Sequence, residues 1–463
     1  MNTDTAKAEA AGIFIQKGAE MTEVFFERTL DEVTKAEIGY LFDQKVVFQS
    51  GSGQGQMSFK QSIDEAKLIN TEIDQFVTDD EFKQSAKVAL SAESETDTPV
   101  IKLFNNLISV AIARRASDIH VDVENSSLFI RMRFDGILVT YAELDLRIAS
   151  MLVARIKLLS GMDITERRKP QDGRFSVVHR GKNVDIRCAS MPVSLGERVA
   201  LRVFNQDPNS FLLEKIGLEE THVHALSQAL SKQSGLLVVC GPTGSGKTTT
   251  IYSILRKLRG RGLNIMTIED PIEMDLDETV QTQVDENVDY TFPLGLKSLL
   301  RNDPDVILVG EIRDEDTAHI AVRAAMTGHL VVTSVHANSP IGGIKRLLNF
   351  GVDSSLLSDC LIGVFSQRLI RVYCEGCIKV STRCEAHHQS LPSKFDGCEK
   401  CFGTGFSYRR PVMSHLLMST DNRQTLDSGA TDLDFEDTIS KEGMEMHDRG
   451  LTPFFEVFKL QSN

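Results

Sequence analysis

A mostly parallel α/β sheet preceded by a smaller α+β domain is the fold class the sequence predicts, and three observations carry it. Apolar runs recur at 236–240, 263–268, 306–309 and 330–334, separated by segments with helical spacing, the pattern of strands alternating with helices. A glycine-rich turn, GPTGSGKT at 241–248, joins the first run to a segment that reads as helix over 248–258. Upstream, 127–134 and 174–179 alternate apolar and polar residues, with turns at Asp135-Gly136 and Arg180-Gly181-Lys182. Ahead of them Leu103, Phe104, Leu107 and Ala111 recur at helical spacing, predicting a helix from Val100 to about Arg115.

A chain of 463 residues is too long for one core. Polar breaks at 91–99 (SAESETDTP) and 205–210 (NQDPNS) divide it into 1–95, 96–205 and 206–463. Within the first segment GSGQGQ at 51–56 reads as a loop and the stretch from Met57 to about Leu90 as helical. The net charge of −14 disfavours a dedicated nucleic-acid binder, which needs clustered Lys and Arg to neutralise phosphates. Much of the acidity lies in residues 1–100, which carry 19 acidic against 9 basic side chains, the balance of a solvated or partner-facing module. The first residues, MNTDTAKAEAAGIF, lack the basic region and apolar core of a signal peptide, and no uncharged apolar stretch of about 18 residues occurs. These features predict a cytosolic protein, or one peripheral to a membrane.

GPTGSGKT satisfies the phosphate-loop pattern at every fixed position. Gly241, Gly244 and Gly246 let the backbone wrap a polyphosphate, with Pro242, Thr243 and Ser245 between them. Lys247 supplies a point charge for the β- and γ-phosphates, Thr248 a hydroxyl for Mg²⁺, and Thr249 continues the helix N-terminus that completes the anion site. At 267–273 the chain reads TIEDPIE at the end of a predicted strand, where Glu269 and Glu273 are both candidates to activate water. At 303–314, DPDVILVGEIRD ends its apolar run near Glu311, a carboxylate suited to the Mg²⁺ shell, with Gly310 where many phosphate-loop enzymes carry Asp. His329 and His336 bracket the run at 330–334, and a spacing of seven assigns them different neighbours, one of them structural.

Eight cysteines in a cytosolic chain argue against a disulfide framework. Cys374 and Cys377, then twenty residues, then Cys398 and Cys401 form two CxxC pairs, which predict a structural Zn²⁺ site in a module at about 371–405. Cys384, His387 and His388 lie inside the loop as alternative ligands of poorer spacing, and Cys188, Cys240 and Cys360 sit in apolar runs as core residues.

GPTGSGKT, TIEDPIE, DPDVILVGEIRD and TGHLVVTSVHAN, in this order, resemble the Walker A, Asp box, Walker B and His box of the type II secretion and type IV pilus assembly ATPases. The similarity continues in ASDIHVD at 116–122, RFDGIL at 133–138, RIKLLSGMDITERRKPQDGRF at 155–175 and DIRCASMPVSLGERVALRVF at 185–204, and covers about 100–410. The resemblance implies a RecA-like ATPase domain behind a PAS-like α+β domain, assembled as a homohexamer. It implies Glu273 as general base, Glu311 as the Walker B carboxylate and His336 as a γ-phosphate sensor. It further implies that Arg187 and Arg202 are brought to the γ-phosphate by the smaller domain. The expected partners are an inner-membrane platform protein and a cytoplasmic adaptor, and the expected work is assembly of pilins or pseudopilins. The tetracysteine module typifies secretion and extension ATPases and is absent from retraction ATPases. A retraction or DNA-uptake motor is the alternative within the family, and a zinc-dependent binding module switched by ATP the alternative outside it. Residues 1–95 match no motif of the family, and beyond Tyr408 PVMSHLLMST departs from the family's usual acidic continuation.

Overall fold

A computed structural model describes residues 99–124, 127–179, 182–204, 211–377 and 397–461, together with the backbone of three strands nearer the start. Those three are β1 (Ile13–Lys17), β2 (Met21–Phe26) and β3 (Lys45–Ser50), with β1 antiparallel and β3 parallel to β2. The expected loop at 51–56, the helical stretch after it and the break at 205–210 lie outside the described residues, as does the Arg180-Gly181 turn. Two compact units emerge: Met1–Asn205 with Cys384–Gly405, and Gln206–Arg383 with Phe406–Asn463.

In the first unit, α1 (Pro99–Ala113) buries Leu103, Phe104, Leu107, Ala111 and their neighbours along one stripe, as the helical spacing predicts. Three strands, β4 (Asp118–Glu124), β5 (Ser127–Phe134) and β6 (Ile137–Asp145), then the helix α2 (Ala149–Leu159) and three further strands, β7 (Gln171–His179), β8 (Lys182–Val193) and β9 (Gly196–Phe204), follow. The strands form one sheet in the order β6-β5-β4-β9-β8-β7, every pair antiparallel. Such a sheet can face water on one side, and β5 shows it by burying Leu128, Ile130, Met132 and Phe134 while Phe129, Arg131 and Arg133 point the other way. The two helices close the apolar face. Lys157 on α2 is almost wholly buried, paired with Glu197 and donating to the Glu166 carbonyl at 2.7 Å. A buried charge needs both kinds of partner.

The second unit opens with α3 (Glu220–Ala229), β10 (Gly235–Cys240) and α4 (Lys247–Leu258). It continues through β11 (Ile265–Glu269), β12 (Val280–Gln283), α5 (Phe292–Leu299), β13 (Val306–Val309), α6 (Glu315–Met326), β14 (Leu330–Val335), α7 (Pro340–Asn349) and α8 (Ser354–Cys360). A long pair of strands, β15 (Leu361–Tyr373) and β16 (Phe406–Leu417), then precedes three short helices, α9 (Thr420–Asp427), α10 (Ile439–Asp448) and α11 (Phe454–Gln461). The sheet order is β12-β11-β13-β14-β10-β15-β16, parallel throughout except for the β15–β16 pair. Strands β10, β13 and β14 are buried at every residue, because helices cover both faces. All the parallel strands therefore end on one edge, where open α/β sheets place their ligand-binding turns.

Candidate nucleotide site

Strand β10 lies between β14 and β15 and runs directly into the loop at 241–246. Gly246 caps α4 with φ 87°, a left-handed conformation, and a Cβ there would meet the Gln367 amide nitrogen at 2.7 Å. Only glycine suits both demands. Gln367, on β15 and 2% exposed, donates to the Ser245 carbonyl at 2.7 Å and accepts from the Thr250 hydroxyl at 2.6 Å. It thus pins the loop and the first turn of α4 to a neighbouring strand. Lys247 donates through Nζ to the carbonyls of Gly241 (2.8 Å) and Pro242 (3.1 Å). Its burial lowers its pKa, an effect that Glu311 opposes.

Glu311 stands just past the end of β13. It forms an ion pair with Arg313, and its Oε2 lies 3.3 Å from His336 Nε2 just beyond β14. Hydrogen bonding to Glu311 raises the Arg313 pKa. Gly310 has a spatial reason: a Cβ there would lie 3.3 Å from both Glu269 Cα and the Ile268 carbonyl oxygen, so an Asp would press on β11. Of the two histidines of the fourth box, His329 is bound through Nδ1 to the Ala324 carbonyl at 2.9 Å, whereas His336 is half-exposed and faces Glu311. His329 is the structural one.

The two carboxylates left open by TIEDPIE differ in burial. Glu269 is 4% exposed and is approached by three donors: the Tyr252 phenol, the Thr267 hydroxyl at 2.6 Å and the Gln281 amide at 3.1 Å. Glu273 is exposed, on the loop after β11, and its backbone N–H donates to the Tyr252 hydroxyl at 3.2 Å. A group that must reach water belongs at Glu273 rather than Glu269.

In the first unit, the register across the solvent face of the sheet aligns Arg174, Arg187, Arg202, Asp118 and Arg133 in one lateral row over five strands. Arg202 pairs with Asp118 at 3.1 Å, and the Arg187 guanidinium covers the Phe204 ring at 4.7 Å. Like charges directly opposite one another in a sheet are destabilising.

At the other end of the β15–β16 pair, Cys374 follows β15 directly and Cys398 and Cys401 precede β16. Each CxxC is a tight turn, closed by Cys377 N–H to the Cys374 carbonyl (2.9 Å) and by Cys401 N–H to the Cys398 carbonyl (3.1 Å). The four sulfurs lie within 4.8 Å of one another, and three of the four residues are buried. A tetrahedral ion with sulfur bonds of about 2.3 Å has sulfur–sulfur edges of about 3.8 Å, and Cys398 and Cys401 stand 3.8 Å apart. The Gly405 N–H donates to the Cys401 sulfur at 3.2 Å, as a bond to a ligating thiolate would. The donor set fits zinc. Cys384, His387 and His388 lie outside the described residues. Cys188, Cys240 and Cys360 are buried, and burial pushes each thiol up to about 12, so these are core residues.

Residues 93–458 match the family described as Type II/IV secretion system protein. The chain belongs to this family. Similar members include the type II secretion system protein E of Aeromonas hydrophila, 38% identical over 85% of this chain and 81% of that protein. The type II secretion system ATPase E of Vibrio cholerae is 39% identical over 78% of this chain and 72% of that protein. Among solved structures, the pilus retraction motor PilT with bound ADP is 26% identical with a TM-score of 0.53, covering 76% of this chain and 95% of that one. The ATPase DotB of Yersinia pseudotuberculosis shares the fold, with a TM-score of 0.61 at 22% identity over 79% of this chain and 96% of that one. The α/β ATPase fold expected from the sequence is therefore that of this secretion family. Among the described residues no helix is long and apolar enough to cross a membrane.

Within this family frame, the fold brings Lys247 and Thr248, at the start of α4, to the same edge of one sheet as the turns that carry Glu273, Glu311 and His336, while Arg187 and Arg202 share a row in the other unit. Three residues at these sites escape a reading of the sequence. Gln367 and Tyr252 act by contacts made across the sheet, and Arg174 is marked only by its register with Arg187.

Proposed function

We propose that this protein is a secretion or pilus motor ATPase that hydrolyses ATP, works as a cytoplasmic homohexamer, and drives pilin or pseudopilin assembly. Its partners would be an inner-membrane platform protein and a cytoplasmic adaptor, which hold it at the membrane. The single observation that carries the reading is the convergence of the phosphate loop, Glu311, His336 and the Glu273 loop on the carboxyl ends of adjacent parallel strands. Lys247 and the loop amides would hold the phosphates, and the Thr248 hydroxyl and Glu311 would hold the Mg²⁺ shell, the ion supplying charge neutralisation at the phosphoryl oxygens. Glu273 orients and deprotonates the attacking water, and His336, joined to Glu311, reports on the γ-phosphate. Arg187 and Arg202, with Arg174 beside them, supply positive charge that links turnover to movement of the smaller domain.

Arg187→Ala and Arg202→Ala are expected to fold normally and to lose turnover on the order of 10³-fold, as removal of an arginine from a phosphoryl-transfer site does. Steady-state ATPase assays beside thermal melts test the reading. Full activity in both variants would take the γ-phosphate role away from this row.

The tetracysteine cluster supports one structural Zn²⁺ per chain, bound by Cys374, Cys377, Cys398 and Cys401. Elemental analysis of the protein purified under reducing conditions is expected to return about one zinc per chain, since closed four-thiolate sites retain the ion. Cys→Ser at any of the four should loosen this module and leave the phosphate loop able to bind ATP. A metal content near zero with unchanged stability would dismiss the zinc assignment.

A further inference from the structure

We infer that Tyr252 is a positioning residue for hydrolysis: its phenol donates to the buried carboxylate of Glu269 and accepts from the Glu273 N–H, and so ties the helix that follows the phosphate loop to the loop that carries Glu273. The inference rests on the reading of Glu273 as the base and goes beyond it by naming what holds that base in place.

Tyr252 lies on α4 five residues after Lys247 and is 1% exposed. Its hydroxyl has two partners, Glu269 Oε2 and the Glu273 N–H at 3.2 Å. The direction of each bond follows from the chemistry of the groups. A carboxylate only accepts, so the phenol spends its one proton on Glu269 and is left with its lone pairs for Glu273. The remaining donors reach the other carboxylate oxygen: Thr267 Oγ1 at 2.6 Å and Gln281 Nε2 at 3.1 Å. Burial and the Glu269 charge raise the Tyr252 pKa, which keeps the proton in place at physiological pH.

The loop from 270 to 279 is hung from the neighbouring strands by the same means. Gln281 Nε2 also donates to the Met274 carbonyl at 3.0 Å, and Gln281 Oε1 accepts from the Leu276 N–H at 2.7 Å. Gln283 Oε1 accepts from the Ile272 N–H at 3.1 Å. These ties run to β12. Tyr252 supplies the tie to the phosphate-loop helix, so a displacement of that helix is transmitted to the backbone of Glu273. A phenylalanine would fill the same space and break the connection.

The experiment compares Tyr252→Phe, Glu269→Gln, the double variant and Glu273→Gln in the full chain, measuring kcat, KM for ATP, binding of a non-hydrolysable ATP analogue and thermal stability. Tyr252→Phe is expected to lower kcat about tenfold, with KM and analogue binding within about twofold of the parent, because a misplaced base costs turnover and not binding. It also strips a donor from a buried carboxylate, which lowers the melting temperature. Adding Glu269→Gln removes that buried charge, so the double variant should regain stability and remain slow. A purely structural role predicts that stability and kcat recover together, and that result would overturn the inference. So would a Tyr252→Phe enzyme with parental kcat, or one whose defect is confined to KM. If Glu273→Gln turns over normally, the base assignment fails and takes the inference with it. If Glu273→Gln is inactive while Tyr252→Phe is unaffected, the inference fails alone.

Discussion

Lys247→Ala is expected to lose ATP turnover on the order of 10³-fold or more and to lose nucleotide binding with it. The ammonium group is the fixed positive charge on the phosphate loop, and pre-placed charge at the phosphoryl oxygens is the largest single contribution to this kind of catalysis. The fold should survive the change, since the side chain's hydrogen bonds run to two carbonyls of its own loop, those of Gly241 and Pro242. The loop is held independently by Gln367, which binds the Ser245 carbonyl and the Thr250 hydroxyl from β15. Nucleotide titration, steady-state hydrolysis and a melting curve on the same preparation separate the two effects. Turnover within tenfold of the parent protein would place the catalytic phosphate site elsewhere.

Glu273→Gln and Glu311→Gln are expected to keep ATP binding and to lose hydrolysis by about 10²- to 10⁴-fold, the range general-base catalysis supplies. The amide preserves shape and removes charge, so each variant isolates the carboxylate's chemistry from its packing. The two should differ in their side effects. Glu311 forms an ion pair with Arg313, faces His336 and is the carboxylate assigned to the Mg²⁺ shell, so neutralising it removes a charge that would hold the ion. Its variant should therefore need a higher Mg²⁺ concentration for half-maximal turnover, a shift that Glu273→Gln should lack. Hydrolysis at the parental rate by Glu273→Gln, with ATP bound, would remove the base assignment, and the burial of Glu269 among three donors makes it a poor replacement.

Much of the nucleotide site was legible because it is local. Eight contiguous residues specify the phosphate loop, and a loop fixed by its own glycines and the helix after it needs no distant partner. Strands β5 and β13 fall on the residues that alternation and apolar runs mark, 127–134 and 306–309. Strand β7 begins at Gln171, three residues before the alternating stretch, because pairing with β8 extends past the apolar pattern. Strand β11 runs over Ile265–Glu269 rather than 263–268, ending on the glutamate that its neighbours bury. Strand β15 was not legible at all, since Ser366, Gln367 and Arg368 interrupt its apolar run with polar residues that are buried for tertiary reasons.

By itself, the sequence determined the class of this protein: an α/β domain with a phosphate-loop motif, a smaller α+β domain before it and two CxxC pairs, each written in contiguous or regularly spaced residues. Only the tertiary structure decided which of two carboxylates four residues apart faces water, which of two histidines faces Glu311, and which arginines share a row. It also revealed Gln367 holding a loop 122 residues away in the chain. The physical reason is range. Backbone propensity and periodicity act over a few residues and leave their mark in the order of side chains, whereas burial and hydrogen-bond partners are set by segments far apart in the chain that meet only when the sheet assembles.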